Sequence, residues 1–159
     1  MIVVADSGPI HYLVLIGDID VLLPLFDHVV IPGAVHSELT RSTTPAVVRQ
    51  WVTNLPLWAE IRPAQSSQEE NLRRLGPGEQ EAILLARQIA ADYLLIDDAQ
   101  GRFLAEAQHV RTIGTIGILR NAATRGLIDF RQSFDKLMGT NFRISSSFRK
   151  RILEELEEA

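Results

Sequence analysis

Short β-branched apolar runs alternate with helix-forming stretches along this chain, and that rhythm most constrains its fold. Residues 2–5 (Ile2-Val3-Val4-Ala5) form such a run and end at Asp6-Ser7-Gly8-Pro9, where Ser7 can cap a helix and Pro9 suits its first turn. The pattern then predicts helices over residues 9–16 and 19–26, and a strand over 28–31. A helix opened by Pro32 follows, then a second through Val48, Trp51 and Val52, and an extended piece over 58–62. Residues 63–76 are polar, with Gln65-Ser66-Ser67-Gln68 at their centre, and read as a loop with a short helix. Beyond Gly76-Pro77-Gly78 come a helix over 79–91, a strand over 93–96, a helix over 99–108, a strand over 110–113 and a helix over 116–125 stopped by Gly126. Strands separated by helices imply a parallel sheet covered on both faces, a three-layer α/β/α domain.

A chain of 159 residues that is 46% hydrophobic can bury a proper core. It has no cysteine, which removes thiolate metal sites and a disulfide framework and fits a reducing, cytoplasmic setting. Asp6 interrupts the first apolar run and the first basic residue is Arg41, so the start does not read as an export signal. No apolar run approaches the ~18–20 residues a bilayer requires, and no membrane role is expected. The net charge of −4 argues weakly against nucleic acid, but 14 of the 16 basic residues are arginine and none lies within residues 1–40. Most of these arginines read as solvating helix faces. Over 145–158, Phe148, Ile152 and Leu156 share a helical stripe, while Arg149, Lys150 and Arg151 near its start and four glutamates near its end oppose the helix dipole. Such a helix needs a surface to pack on, either this domain or a sister subunit.

Four acids, Asp6, Glu38, Glu79 and Asp97, each fall just past a strand-like run or early in a helix. Strand ends and the starts of the following helices share one edge of a parallel sheet, the edge where ligands bind. Carboxylates gathered there repel unless a cation sits between them. Asp6 alone is also a common turn residue. Glu38 lies beside the apolar side of its helix, and Glu79 heads a stripe with Ala82, Ile83, Ala86 and Ala90; its plainer role is a first-turn glutamate favoured by the dipole. Glu81 shares a stripe with Leu84, Leu85 and Gln88 and has a weaker case. Asp97 and Asp98 leave the strand in opposite directions, so one of them enters the site; Asp97 is favoured, with Asp98 as the alternative. Asp98 can instead cap the next helix and pair with Arg102. Arg102 can also hold a phosphate, and Thr115 either touches the site or, as the safer assumption, caps a helix.

Hard oxygen donors without cysteine select Mg²⁺ or Mn²⁺, and such ions serve phosphoryl transfer by activating water. The histidines His11, His28, His36 and His109 lack a zinc-motif spacing. Ser7 is a hydroxyl near the acids with no histidine to activate it. Residues 114–117 lack both the dinucleotide glycine fingerprint and the lysine of a phosphate loop.

Five motifs together resemble the PIN-domain ribonucleases: Asp6-Ser7-Gly8-Pro9, Val35-His36-Ser37-Glu38-Leu39, Gly76-Pro77-Gly78-Glu79-Gln80-Glu81-Ala82-Ile83, Leu95-Ile96-Asp97-Asp98 with Gly101-Arg102, and Gly114-Thr115-Ile116-Gly117-Ile118-Leu119. The pattern is most similar to small prokaryotic PIN-like proteins related to VapC-type toxins. The resemblance implies a PIN-like domain over 1–127; residues 128–159, which the motifs do not cover, read as a C-terminal helical extension that packs on the domain or on a sister subunit. It also implies a Mg²⁺- or Mn²⁺-dependent endoribonuclease, the toxin of a toxin–antitoxin pair, with Asp6, Glu38, Glu79 and Asp97 as catalytic metal ligands. Ser7, Arg102 and Thr115 would support the site or the substrate. RNA, a sister subunit in a homodimer and a small antitoxin are the implied partners. The chain departs from the toxins in that Asp97-Asp98 directly follow the strand, without the Thr-x-Asp turn. Two rivals stand beside this reading: an inactive PIN-like binding or regulatory module, and a receiver-type phosphoacceptor. The latter wants paired acids after its first strand and a lysine near its last, whereas the only lysines here are Lys136 and Lys150.

Overall fold

The computed structural model describes residues 1–64 and 69–158. Its centre is a five-stranded, wholly parallel sheet in the order β3-β2-β1-β4-β5, built from β1 (Ile2–Ala5), β2 (His28–Pro32), β3 (Ala59–Arg62), β4 (Tyr93–Leu95) and β5 (Thr112–Ile113). Both faces are covered, which is why the inner strands read as continuous apolar runs rather than alternating ones. Alternate side chains enter two separate cores. Val3, Ala5, Val29, Ile31 and Leu95 join one cluster, and Val4, Val30, Leu94 and Ile96 the other. The fold is therefore the expected three-layer α/β/α sandwich.

The helices follow in order: α1 (Ser7–Leu15), α2 (Leu22–Phe26), α3 (Gly33–Leu39), α4 (Ala46–Thr53), α5 (Pro77–Gln88), α6 (Ala99–Ala107), α7 (Thr115–Thr124), α8 (Phe130–Met138) and α9 (Ser146–Glu158). The helices α5 and α6 supply the second core, while α1, α3, α4, α7, α8 and α9 contribute to the first. Helix α7 ends in a Schellman motif: Gly126 N–H donates to the Ala123 carbonyl and Leu127 N–H to that of Ala122, both at 2.9 Å, with Gly126 at φ 72°.

Several local expectations need correction. The helix expected over 19–26 is a short 3₁₀ turn, Ile19–Val21, followed by α2. The last strand is only Thr112–Ile113, and Trp58 lies outside β3, although its carbonyl accepts from Val29 N–H at 2.9 Å. In the polar stretch the short helix is the 3₁₀ turn Glu70–Leu72, and the run 65–68 lies outside the described residues. Ser7 is the first helical residue of α1 rather than its cap, which is Asp6. The receiver-type alternative also fails. Receiver domains have strand order 2-1-3-4-5, whereas here the order is 3-2-1-4-5.

The region after Gly126 is built into the first core. Phe134, Leu137 and Ile152 are at most 1% exposed, and Phe148 and Leu156 pack beside them. Ser133 is buried and its hydroxyl donates to Asp18 Oδ2 at 2.7 Å, linking α8 to the loop after α1. Arg120 on α7 pairs with Glu155 on α9 at 2.8 Å. Among the described residues no helix is long and apolar enough to cross a membrane.

Candidate functional site

The strand order reverses at β1: the chain moves outward through β2 and β3, then returns to add β4 and β5 on the other side. A crevice opens at the carboxyl end of such a switch point. Asp6 follows β1 and Asp97 lies just beyond β4, so the two flank the switch, and Asp6 N–H donates to the Leu95 carbonyl at 2.9 Å. Glu38 comes from α3 after β2, and Glu79 from the first turn of α5, whose start lies at the same edge.

Asp6 is the buried member, 4% exposed, and its Oδ1 has no hydrogen-bond partner. Burial pushes its pKa up to about 7; the Ser7 amide opposes that rise, and the charges of Glu79, Glu38 and Asp97 add to it. Glu79 is raised by burial and by Asp98 and Glu38, with its own amide and that of Gly76 opposing. Asp97 is also raised by burial, against hydrogen bonds from Thr115 and the nearby Arg102 charge. The four acids thus act on a common field, as their placement along the sequence suggests.

They do not stand as a finished cage. Among the described residues no group of three or more His, Asp or Glu side chains is arranged to hold a metal ion. The reason lies in the helix starts. Asp97 Oδ1 accepts from the Thr115 amide and Oδ2 from the Thr115 hydroxyl, both at 2.7 Å. Asp98 Oδ2 accepts from the Gly101 amide at 2.7 Å and caps α6. Glu79 folds back toward the Gly76 amide at the start of α5, the reach of a capping box. Three helix N-termini, each rich in unpaired N–H groups, therefore hold carboxylates that a cation would otherwise attract. The donor chemistry nonetheless suits a hard divalent ion: every nearby acid offers oxygen, and Asp6 Oδ1, buried and without a donor, lies within the field of the other three.

Thr115 departs from the safer assumption, since Gly114 is the N-cap of α7 and Thr115, fully buried, binds Asp97. The Asp98–Arg102 ion pair is not formed among the described residues; Arg102 Nε instead makes a long 3.4 Å contact with the Thr112 hydroxyl. Asp97 sits between Gly8 and Gly114, where a Cβ would come within 3.1 Å of its Oδ2 and 3.0 Å of its Oδ1. Glu81 has a structural place that its stripe does not reveal. Its Oε1 accepts from the Ala34 amide at 3.1 Å, and so ties α3, the carrier of Glu38, to α5. The hydroxyl of Tyr12 donates to Asn141 Oδ1 at 2.9 Å, bringing the segment before α9 up beside Asp97. Neither Tyr12 nor Asn141 carries a motif that would have singled it out.

A family model described as DUF3368, PIN domain, matches residues 2–158. The chain belongs to this PIN-domain family. The match runs through α8 and α9 as well as the five motifs. A PilT N-terminus domain protein from the hyperthermophilic archaeon Sulfolobus solfataricus P2 is similar in structure, with a TM-score of 0.57 and 17% identity over 77% of this chain and 93% of that one. That likeness concerns the fold. No curated protein matches the sequence significantly. A PIN domain is a nuclease fold, and such domains typically use divalent metal ions.

Within this PIN domain, Glu38 reaches the other acids by lying against Gly78. A Cβ at Gly78 would stand 3.0 Å from Glu38 Cδ and nearer still to Oε1, so Gly78→Ala must push the carboxylate aside. Gly78 is a helical residue without positive φ, and alanine there favours the helix by about 0.5–1 kcal/mol. The expected outcome is a protein that melts no lower than wild type but binds Mn²⁺ roughly tenfold more weakly, a size typical of disturbing the surroundings of a metal site. Calorimetric titration and thermal unfolding of the same sample check both halves. Unchanged Mn²⁺ affinity would count against Glu38 as a metal ligand.

Proposed function

We propose that this PIN domain is a Mg²⁺- or Mn²⁺-dependent endoribonuclease, with Asp6, Glu38, Glu79 and Asp97 as the residues that hold the ion and Asp98 as the alternative to Asp97. The observation that carries the reading is Asp6: a buried carboxylate at the switch point, one oxygen without a donor, inside the field of three further acids. A divalent ion held there supplies an acidified water and charge stabilisation for phosphodiester hydrolysis.

The remaining roles fall to the chain's own groups. Thr115 fixes both oxygens of Asp97, leaving its other lone pairs for a ligand. Arg102 lines the cavity next to Asp97 and offers a guanidinium to a phosphate. Ser7 keeps its amide toward Asp6 and orients that carboxylate. The same reading makes the protein the toxin of a toxin–antitoxin pair, with a homodimeric state and a small antitoxin that blocks the acidic edge.

The test is incubation of the purified protein with single-stranded RNA, with Mn²⁺, with Mg²⁺ and with EDTA, beside a Mn²⁺ titration of thermal stability. Cleavage is expected with either ion and none in EDTA, with a melting temperature that rises as Mn²⁺ saturates. The inactive-module reading draws on the absence of a finished cage among the described residues. A protein that neither binds Mn²⁺ nor cuts RNA would establish that module instead.

A further inference from the structure

Next to the acidic edge lies a cavity of about 890 Å³, bounded by the starts of α6 and α7, the end of β5 and the segment leading into α9. Its volume is in the range of sites that enclose a small ligand, about 300–1,000 Å³. Asp97 and Asp98 line one end, so the cavity continues from the proposed metal site. The rest of its lining differs in character. Arg102, Arg120 and Arg143 line it, along with the apolar side chains of Ile116, Ile144 and Phe148.

These arginines are not equivalent. Arg120 is held by Glu155 at 2.8 Å, whereas Arg102 and Arg143 have no ion pair among the described residues. Arg102 has only the long contact to Thr112. Arg143 is exposed, yet its segment is anchored: Asn141 accepts from Tyr12, and Phe142 packs edge-on against the Tyr12 ring at 4.9 Å between centroids. Two guanidiniums without an ion pair among the described residues, lining the same cavity as apolar side chains, form a surface for a ligand that joins an anion to a flat apolar ring. A nucleotide has that composition, since arginine grips phosphate oxygens and bases lie on aromatic side chains.

We infer that this cavity is a nucleotide subsite, taking one nucleotide of single-stranded RNA beside the scissile phosphate, with its own phosphate on Arg102 and Arg143 and its base against Ile144 and the cavity-lining side of Phe148, whose ring already carries Arg120 and Arg151 at 5.9 and 5.4 Å. The inference rests on the ribonuclease reading and goes beyond it in naming where the strand runs. It also gives the segment after Gly126 a part in substrate binding.

The test is fluorescence anisotropy of a labelled short single-stranded oligoribonucleotide in EDTA, where no cleavage is expected, over a series of salt concentrations. Arg143→Ala, on an exposed side chain, should bind roughly tenfold more weakly, and the slope of log K against log salt should become shallower by about 0.7, one phosphate contact on a single strand. Phe148→Leu, which keeps an apolar side chain in the core, should also weaken binding roughly tenfold but leave the slope unchanged, because a base contact releases no counterions. Both variants should keep the wild-type Mn²⁺-induced rise in melting temperature. If wild type binds and cleaves RNA while both variants bind with unchanged affinity and slope, the strand runs elsewhere: the subsite is wrong and the ribonuclease reading stands. If wild type neither binds nor cleaves RNA, the ribonuclease reading itself fails.

Discussion

Asp6→Asn is expected to abolish RNA cleavage and, in EDTA at pH 8, to leave the protein more stable than wild type. The first effect follows from removing the central carboxylate of the proposed metal site. A metal's charge stabilisation is worth several kcal/mol, so losing about 3–5 kcal/mol of it lowers the rate roughly 10²–10⁴-fold. The second follows from linkage. The Asp6 pKa is pushed up to about 7 from 3.8, chiefly by burial. The folded state therefore holds the proton more tightly than the unfolded chain. Its contribution to stability is fully present below about pH 4 and is lost as pH rises through about 7. Asparagine has no such loss. At 1.36 kcal/mol per unit the ceiling is about 4 kcal/mol, and Glu79 and Asp97, raised in the same direction, add to the slope that remains. Denaturant unfolding in EDTA between pH 4 and 8 should show a steep fall for wild type and a shallower one for the variant. Mn²⁺ should recover the loss in wild type only, since an ion favours the ionised carboxylate. A wild-type protein as stable at pH 8 as the variant, or a variant that still cleaves, would contradict the role given to Asp6.

The second large effect concerns stability alone. A chain ending at Leu127 should not fold, because it lacks Phe134, Leu137 and Ile152, which are at most 1% exposed in the first core. Emptying such positions costs about 2–5 kcal/mol each, against a total stability of about 5–15 kcal/mol for a typical domain. Phe134→Ala is the graded version and should cost about 3–5 kcal/mol. A cooperative unfolding transition in the truncated chain, followed by circular dichroism, would show that 1–127 is self-sufficient and that the later helices only lean on it.

Much of this fold was legible because its signals are local. The β-branched runs of β1 and β2, Pro77 in the first turn of α5 and Gly126 after α7 each announce an element boundary through backbone chemistry. The four acids were legible for a related reason: in a parallel sheet, position in the strand-to-helix rhythm fixes which edge a residue occupies. Helix α8 has no bounds of its own within the helical extension expected over 128–159, although its signal was available, with Asp129 capping through Gln132 N–H and Phe130, Phe134 and Leu137 at helical spacing. What could not be read were contacts between distant segments. Nothing near Glu81 says that it will accept from Ala34, and nothing near Asn141 says that Tyr12 will hold it. The same limit explains Thr115, whose hydroxyl binds Asp97 because β4 and β5 are neighbours, a fact of topology rather than of local spacing.

The place of β1 between β2 and β4 also bears on how the protein is made. The first strand of this domain waits for a partner about ninety residues later, since Val3 pairs with Tyr93 and Ala5 with Leu95. Such distant pairing is slow to form. Until β4 docks, Asp6 and Asp97 do not face one another, and the arginine-lined cavity is incomplete until Phe148 has been added. On the ribonuclease reading, a nascent chain is thus unable to attack RNA around the ribosome that is synthesising it until the segment that carries Phe148 has emerged.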